Sequence, residues 1–396
     1  MLRAYKYRLY PNATQRELMG KHFGCVRYLY NWGLAKKTEA YQTTGKSLSR
    51  FDLDKQLTAL KQQEETQWLK QVNSQSLQAA LRHLESAYTR YFREKKGFSN
   101  FKSKHRSNAS FECPANVKVA LATGTIELPK LGAVRAEFSR VFDGTVKTVT
   151  VSMSATGKYF ASELVETGLS HPPLQSVSSD TAVGIDAGLK DFATLSTGEK
   201  IANPRFLKKG LKRLRRLSRQ HSKKQKGSNN RGKSRLRLAR QHEKVRCQRE
   251  DFLHQTSTRI VRENQTQTVC VENLNVQGMQ KNRKLSRAIA DVSWSAFLNM
   301  VKYKCQWAGK SYVEIGRFDP SSRLCTCGVI NRELTLRDRI WTCGSCGTTH
   351  DRDVLAANNI VRFALTKQNL IGLDRPESTL GESFVRDSVN QESPRL

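Results

Sequence analysis

The sequence predicts an α+β protein with several domains, and three observations indicate this. The chain has 396 residues, which at roughly 100–200 residues per domain corresponds to two to four domains. Its hydrophobic pattern changes from one strand to helices, then to consecutive strands, and finally to strands that alternate with helices. Four of its nine cysteines fall within residues 325–346, a spacing typical of a small metal-binding insert.

The first part of the chain predicts a β domain with a helical insertion. Residues 2–10 alternate between apolar and polar side chains, with Tyr5, Tyr7 and Leu9 on one face. Asn12 and Gln15 then predict a capped helix start. Helical patterning continues to a basic, phenylalanine-containing loop at about residues 94–110.

Residues 111–168 are rich in short strand patterns. Residues 1–11 join them to form one β domain, and residues 12–110 form its helical insertion. Residues 169–180, rich in Ser and Pro, are the predicted linker.

A second domain follows, and the strands predicted there end on acids. Apolar runs precede Asp186 and Glu272, and a long, basic, helical stretch at residues 205–264 separates the two. We assign residues 181–317 and 351–370 to this domain.

The rest of the chain supplies an insert and a tail. The cysteine-bearing insert covers residues 318–350. Residues 371–396 contain few apolar side chains and are predicted to be disordered.

The net charge indicates a polyanionic partner. Lys and Arg number 68 against 35 Asp and Glu, which gives a charge of +33 and a pI near 10.1. Nucleic acid is the expected partner, because phosphates relieve the self-repulsion of such a chain. A ribosomal-type scaffold and an enzyme with a basic tail are the alternatives, but the basic residues are spread along most of the chain. Mean hydropathy is −0.60 and no run of about 18 apolar residues occurs, so no membrane span is expected.

Three acids are candidate metal ligands. Asp186 and Glu272 follow predicted strands, and Asp353 precedes a predicted helix. If they meet at one sheet edge, they could hold two Mg²⁺ ions, because Mg²⁺ prefers carboxylate oxygens and two-metal sites cleave phosphodiesters. Each acid also has a plain structural interpretation, as a strand end or, for Asp353, as a helix N-cap.

The cysteine cluster predicts a structural zinc site. Cys325, Cys327, Cys343 and Cys346 form two knuckles, each followed by a glycine. The first pair is separated by one residue instead of the usual two, which strains the knuckle. His350 is a spare ligand for a cysteine that cannot reach the metal.

These motifs together resemble the TnpB proteins of IS200/IS605-type mobile elements. The similarity rests on an ordered set of segments from the N-terminus to about residue 365: Tyr7-Arg8-Leu9-Tyr10-Pro11-Asn12, Gly97-Phe98, Gly184-Ile185-Asp186-Ala187-Gly188, Lys226-Gly227-Ser228 with Asp251-Phe252-Leu253-His254, Val271-Glu272-Asn273-Leu274, Pro320-Ser321-Ser322, the cysteine knuckles and Thr349-His350-Asp351-Arg352-Asp353.

The resemblance implies an RNA-guided, metal-dependent DNA endonuclease. The β domain would be a wedge β-barrel interrupted by a helical recognition domain, and the second domain an RNase H-like, RuvC-type nuclease with an inserted zinc ribbon. The catalytic triad would be Asp186, Glu272 and Asp353. We choose Asp353 over Asp351 because it holds the family's place before the Ala356-Ala357-Asn358-Asn359-Ile360 run.

The resemblance also implies partners and a location. They are a guide RNA from the protein's own transposon locus and a double-stranded target DNA, in a monomeric ribonucleoprotein of the cytoplasm, associated with the nucleoid.

Two departures from the family pattern keep alternatives open. One residue is missing between Cys325 and Cys327, and Leu355 stands where relatives tend to have Asn, which removes a supporting hydrogen bond. Leu355 therefore keeps a nuclease-inactive, RNA-guided repressor open as an alternative function. An autonomous transposase is a further alternative, because that chemistry also uses three acids on an RNase H-like fold.

Overall fold

The chain divides into two compact units, Met1–Leu169 and a second that begins at Ser170. The structure, a computed structural model, describes residues 1–95, 97–104, 108–174, 178–262, 266–335 and 337–371. The predicted tail lies outside these residues, apart from Ile371, as do three residues of the predicted linker.

The first unit combines a long sheet with a group of helices. Its strands are β1 (Leu2–Tyr10), β2 (Ala109–Cys113), β3 (Lys118–Ala120), β4 (Thr125–Leu128), β5 (Gly132–Glu137), β6 (Thr145–Met153) and β7 (Tyr159–Glu166). Its helices are α1 (Ala13–Thr44), α2 (Arg50–Leu60) and α3 (Ser74–Glu94), with a 3₁₀ segment at Glu64–Gln71. All three helices lie between β1 and β2 in sequence, so the helical part is an insertion into the β part.

Antiparallel pairing joins the seven strands in the order β2-β6-β7-β1-β5-β4-β3. The first strand, β1, pairs along nearly its whole length with β7 and through residues 8–10 with β5. Tyr7 and Leu9 are buried on its inner face, as their alternation predicts. The resemblance implies that this sheet closes into a barrel. The strand pairing of the described residues contains no pair that joins its two edge strands, β2 and β3.

The start of α1 is fixed by a capping box. The Asn12 side chain accepts from the Gln15 N–H at 2.8 Å, and the Gln15 side chain accepts from the Asn12 N–H at 3.1 Å. The Gln15 amide also donates to the carbonyls of Leu131 and Ala133. The predicted cap is therefore confirmed, and it also ties the first helix to the sheet.

The second unit contains a five-stranded sheet, a separate two-stranded hairpin and helices. Its strands are β8 (Ala182–Ala187), β9 (Asp191–Leu195), β10 (Lys200–Ala202), β11 (Thr268–Val271), β12 (Ser311–Glu314), β13 (Ile340–Thr342) and β14 (Thr349–Asp351). Its helices are α4 (Phe206–Ser222), α5 (Asn229–Arg262), α6 (Val276–Met279), α7 (Ser286–Val292), α8 (Trp294–Trp307) and α9 (Arg352–Ile371), and Ser179–Thr181 is a 3₁₀ turn.

The five strands lie in the order β10-β9-β8-β11-β12, and β13 and β14 form a separate hairpin. Within the large sheet, β8, β11 and β12 are parallel, whereas β9 pairs antiparallel with both β8 and β10. The basic stretch predicted as helical over residues 205–264 is two helices, α4 and α5, because Gly227, at φ 85°, lies in a turn between them. No helix in the described parts of the chain is long and apolar enough to cross a membrane.

The packing of α9 on β8 requires a glycine. A β-carbon at Gly184 would collide with the backbone carbonyl of Ala357. The backbones of strand and helix therefore approach more closely than any side chain allows. This contact fixes the first turn of α9 beside the end of β8.

A buried carboxyl group lies in the sheet of the first unit. Glu163, on β7, is fully buried, and among the described residues neither of its carboxylate oxygens has a hydrogen-bond partner. Burial raises the pKa of this side chain to about 7 from an ordinary value of 4.5. The folded chain therefore binds more protons than the unfolded chain between these pH values, and stability falls as the pH rises through them.

Replacing Glu163 with glutamine is expected to remove this pH dependence. Glu163→Gln should raise the melting temperature above that of the wild type, with a gain that grows from pH 5 to pH 8. The limit is about 3 kcal/mol, since each pKa unit corresponds to about 1.4 kcal/mol. Glu166→Gln, an exposed change on the same strand, is the matched control. Equal effects of the two variants at pH 8 would contradict this prediction.

Candidate functional site

Asp186 and Glu272 leave the large sheet at the same edge. Ile185 of β8 is in register with Val271 of β11, and the two strands are parallel. Asp186 and Glu272 are the next residues along each strand, so their backbones lie side by side. Strand register thus produces the juxtaposition that the two apolar runs predict.

Asp353 joins them from the first turn of α9, and Asp351 has a different position. The Asp351 carboxylate accepts from the N–H groups of Asp353 and Val354, both at 3.1 Å. It also pairs with Lys200 at 2.6 Å. Asp351 therefore caps the helix, whereas the charge of Asp353 acts on Asp186.

The electrostatics of the three carboxylates favour a bound cation. Burial, followed by the charges of Glu272 and Asp353, raises the pKa of Asp186 well above its usual range. Burial also raises the pKa of Glu272, although a hydrogen bond from Ser321 partly lowers it. Carboxylates in this arrangement repel one another. Partly buried carboxylates that repel one another match the oxygen-ligand preference of hard divalent cations such as Mg²⁺.

Two arginines flank the third carboxylate. The Arg352 guanidinium lies 2.9 Å from Asp353, and that of Arg339, from the cysteine-bearing insert, lies 3.2 Å away. No sequence pattern pointed to Arg339, which is 14 residues from its partner along the chain. These pairs fix the orientation of the Asp353 carboxylate.

Glu272 is held by residues to which sequence reasoning assigned no role. The Ser321 hydroxyl donates to the Glu272 carboxylate at 2.7 Å. The buried Asn359 amide of α9 donates to the carbonyls of Ser321 and Leu324, both at 2.7 Å. An Asn within the apolar run of α9 was the available signal for this residue. Asn359 therefore holds the segment that positions the Glu272 carboxylate.

The four predicted zinc cysteines do converge. The sulfur atoms of Cys325, Cys327, Cys343 and Cys346 all lie within 4.8 Å of one another. The one-residue spacing of the first pair does not keep its sulfurs apart from the second pair, because Cys325 lies 3.5 Å from Cys346 and Cys327 lies 3.7 Å from Cys343. The cluster could hold a metal ion.

One thiol of the cluster is predisposed to bind a metal as its thiolate. Hydrogen bonds with the side chain and backbone of Thr348 lower the pKa of Cys346 to about 6. The metal-binding thiolate is thereby favoured. His350, the predicted spare ligand, lies beside the cluster, with Nε2 3.1 Å from the Cys325 sulfur.

Leu355 belongs to the core of the cysteine-bearing insert. It is buried in a cluster with Cys325, Leu334, Trp341 and Cys343. Its side chain therefore packs against the insert, and the departure from the family pattern at this position has a packing role.

The basic helices α4 and α5 are anchored to the rest of this unit. Asp291 of α7 accepts from the backbone N–H groups of Leu207 and Lys208 at the start of α4. The same carboxylate pairs with Arg249 of α5 at 3.2 Å. Seven of the 17 residues of α4 are Lys or Arg, and none is acidic. These helices thus present a fixed, strongly basic surface.

Comparison with protein families gives three matches. Residues 164–283 match the IS605 OrfB family, described as "Probable transposase". Residues 1–46 match a "Helix-turn-helix domain" of the same family and form β1 and α1 here. Residues 294–360, which include the cysteine cluster, match a "Cas12f1-like, TNB domain".

Individual proteins are similar over most of the chain. A Streptomyces pristinaespiralis protein is 40% identical over 99% of this chain and 96% of its own length. An Escherichia coli K12 protein is 34% identical over 91% of this chain and 92% of its own. Both are named "Putative RNA-guided DNA endonuclease", the second with the suffix InsQ. A solved Cas12f1–sgRNA–target DNA complex aligns at 14% identity and a TM-score of 0.47, covering 91% of this chain and 98% of that one.

Asn359→Ala is expected to destabilise this unit while Asn358→Ala is not. Loss of Asn359 leaves two buried carbonyls without their donor, at a cost of about 2 kcal/mol. Asn358 is its exposed neighbour on the same helix. Denaturant unfolding of both variants and the wild type measures the difference. Equal stability of the two variants would show that Asn359 does not hold the segment.

Proposed function

The chain belongs to the TnpB family of IS605-type mobile elements, and from this premise we propose that it is an RNA-guided DNA endonuclease of a transposable element. The observation that carries the proposal is the convergence of Asp186, Glu272 and Asp353 at one sheet edge. These three residues are the proposed catalytic metal ligands of a RuvC-type nuclease site. The charge of +33 supplies the attraction for nucleic acid.

The carboxylates and their neighbours have distinct tasks in this proposal. Two Mg²⁺ ions held there would activate a water molecule and stabilise the leaving oxygen of a phosphodiester. Burial and the negative charges of Glu272 and Asp353 raise the pKa of Asp186. A bound cation would offset the repulsion among the three carboxylates and so favour the ionised form of Asp186. Ser321 orients Glu272, and Arg339 with Arg352 orients Asp353. The protein thus fixes the ligand geometry before substrate binds.

Nucleic-acid recognition is divided between RNA and protein in this proposal. A guide RNA from the same transposon locus would select double-stranded target DNA by base pairing, while the protein reads a short flanking motif. Residues 1–11 and 111–168 are the proposed wedge domain, and residues 12–110 the recognition domain. The proposed assembly contains one copy of the chain.

Zinc is the proposed ion of the cysteine cluster. A tetrahedral site with zinc–sulfur bonds of about 2.3 Å separates its sulfurs by about 3.8 Å. The pairs at 3.5 and 3.7 Å are close to this value. A zinc ion there would cross-link the two halves of the insert, since Cys325 and Cys343 also belong to the buried core of the insert.

Purified protein is expected to contain about one zinc ion per chain, consistent with one four-thiolate site. Cys343→Ser should lower the zinc content severely and destabilise the insert. Cys247→Ser changes an exposed cysteine outside the cluster and should leave the content unchanged. Elemental analysis measures both variants. A full zinc content in Cys343→Ser would contradict the assignment.

Plasmid cleavage tests the proposed activity. The protein, purified with RNA from its own locus, is offered plasmids that carry a guide-matched target behind a randomised flank. We expect cutting with Mg²⁺ and none with EDTA. Asp186→Ala and Asp353→Asn should lower cleavage by about 100-fold or more, because each removes a ligand of the proposed metal site. Asp351→Asn, which changes the helix cap and the ion pair with Lys200, should retain cleavage.

Other outcomes would favour the alternatives. Cutting by the protein without RNA would indicate an autonomous nuclease or transposase. Guided binding without cutting would indicate a repressor. Loss of cleavage in Asp351→Asn but not in Asp353→Asn would reverse the assignment of the third acid.

A further inference from the structure

A cavity of about 420 Å³ opens between α4 and α5, and four of its six lining residues carry a cationic group. Its lining residues are Arg213, Leu217, Arg237, Arg240, Gln241 and Lys244. This volume falls within the range of about 300–1,000 Å³ typical of ligand sites. It lies apart in sequence from the acids and cysteines discussed above.

The spacing of the lining residues shows that the cavity is built by two facing helix surfaces. On α5, Arg237, Arg240 and Lys244 are three and four residues apart, so they share one face of the helix. On α4, Arg213 and Leu217 are four residues apart. A β-carbon at Gly210 would come within 3.1 Å of the Val245 side chain, so this glycine lets the two helices approach closely.

Several arginines of α5 pair with carboxylates of the described residues, whereas the cations of the cavity do not. Arg246 pairs with Glu250, Arg249 with Asp291 and Arg259 with Glu199. In the part of the chain that the structure describes, no ion pair joins a carboxylate to Arg213, Arg237, Arg240 or Lys244. Like charges three and four residues apart destabilise a helix. An anion bound in the cavity would offset this repulsion.

The remaining lining residues suit a nucleotide backbone better than a free ion. Gln241 is 8% exposed and lines the cavity with a carboxamide, which can both donate and accept. Leu217 adds an apolar contact for a sugar. Guanidinium groups bind phosphate oxygens in a bidentate manner.

We propose that this cavity binds the phosphodiester backbone of a nucleic acid at a defined contact on the α4–α5 surface. The inference rests on the proposed function, because it assumes a nucleic-acid partner, and it adds a specific site. RNA and DNA share the phosphate chemistry, and the experiment separates these two sources.

Two charge-matched double variants test the site. Arg213→Ala with Arg240→Ala removes one cavity cation from each helix. Arg216→Ala with Arg235→Ala removes one exposed basic residue from each helix outside the cavity. Binding of the full chain to a 20-nucleotide RNA and to a DNA of the same sequence is measured by fluorescence anisotropy over a series of salt concentrations.

The cavity variant is expected to lose at least tenfold affinity for one of the two polymers, and that polymer identifies the source. Its log–log salt dependence should also fall by about 1.4, because two phosphate contacts on a single strand contribute about 0.7 each. The matched variant should lose threefold or less. If circular dichroism shows lost helix content in the cavity variant, Arg237→Gln with Lys244→Gln replaces it.

The remaining outcomes separate the two levels of the proposal. Equal losses in the cavity and matched variants would overturn the site while leaving nucleic-acid binding intact. A wild-type chain that binds neither polymer would overturn the proposed function, and the site with it.

Discussion

The close contact between Gly184 of β8 and Ala357 of α9 is the constraint on which the candidate site depends. It sets the depth at which α9 packs on the sheet. That depth brings Asp353 to the edge where Asp186 and Glu272 emerge. Any side chain at residue 184 would push the helix outward and separate the third carboxylate from the other two. The arrangement of the three carboxylates therefore depends on an uncharged residue, Gly184.

The same helix connects the carboxylates to the cysteine-bearing insert. Leu355 packs into the core of the insert, and Asn359, four residues later, binds the carbonyls at its start. Residues four apart share a helix face, so one face of α9 serves the insert. Arg339 completes the connection by returning from the insert to Asp353. The insert is thus part of the scaffold of the site.

Local sequence patterns predicted the parts of the fold that depend on neighbouring residues. Examples are the Asn12 cap, the alternation of β1 and the acids at the carboxyl ends of β8 and β11. The break between α4 and α5 was missed, because basic helical residues continue on both sides of Gly227. The supports of the carboxylates were missed for a different reason. Ser321 and Asn359 contact partners 49 and 38 residues away, and no periodicity in one segment encodes such pairs.

The two-sided use of α9 restricts how this stretch of the gene can vary. Successive helical residues are rotated by about 100°, so one inserted or deleted residue between Asp353 and Asn359 would turn every later side chain away from its partner. The insert and the sheet could not both be satisfied afterwards. A substitution in this stretch disturbs the contacts of one side chain, whereas a change in its length shifts the contacts of all that follow. Selection is therefore expected to preserve the number of residues here more strictly than their identity.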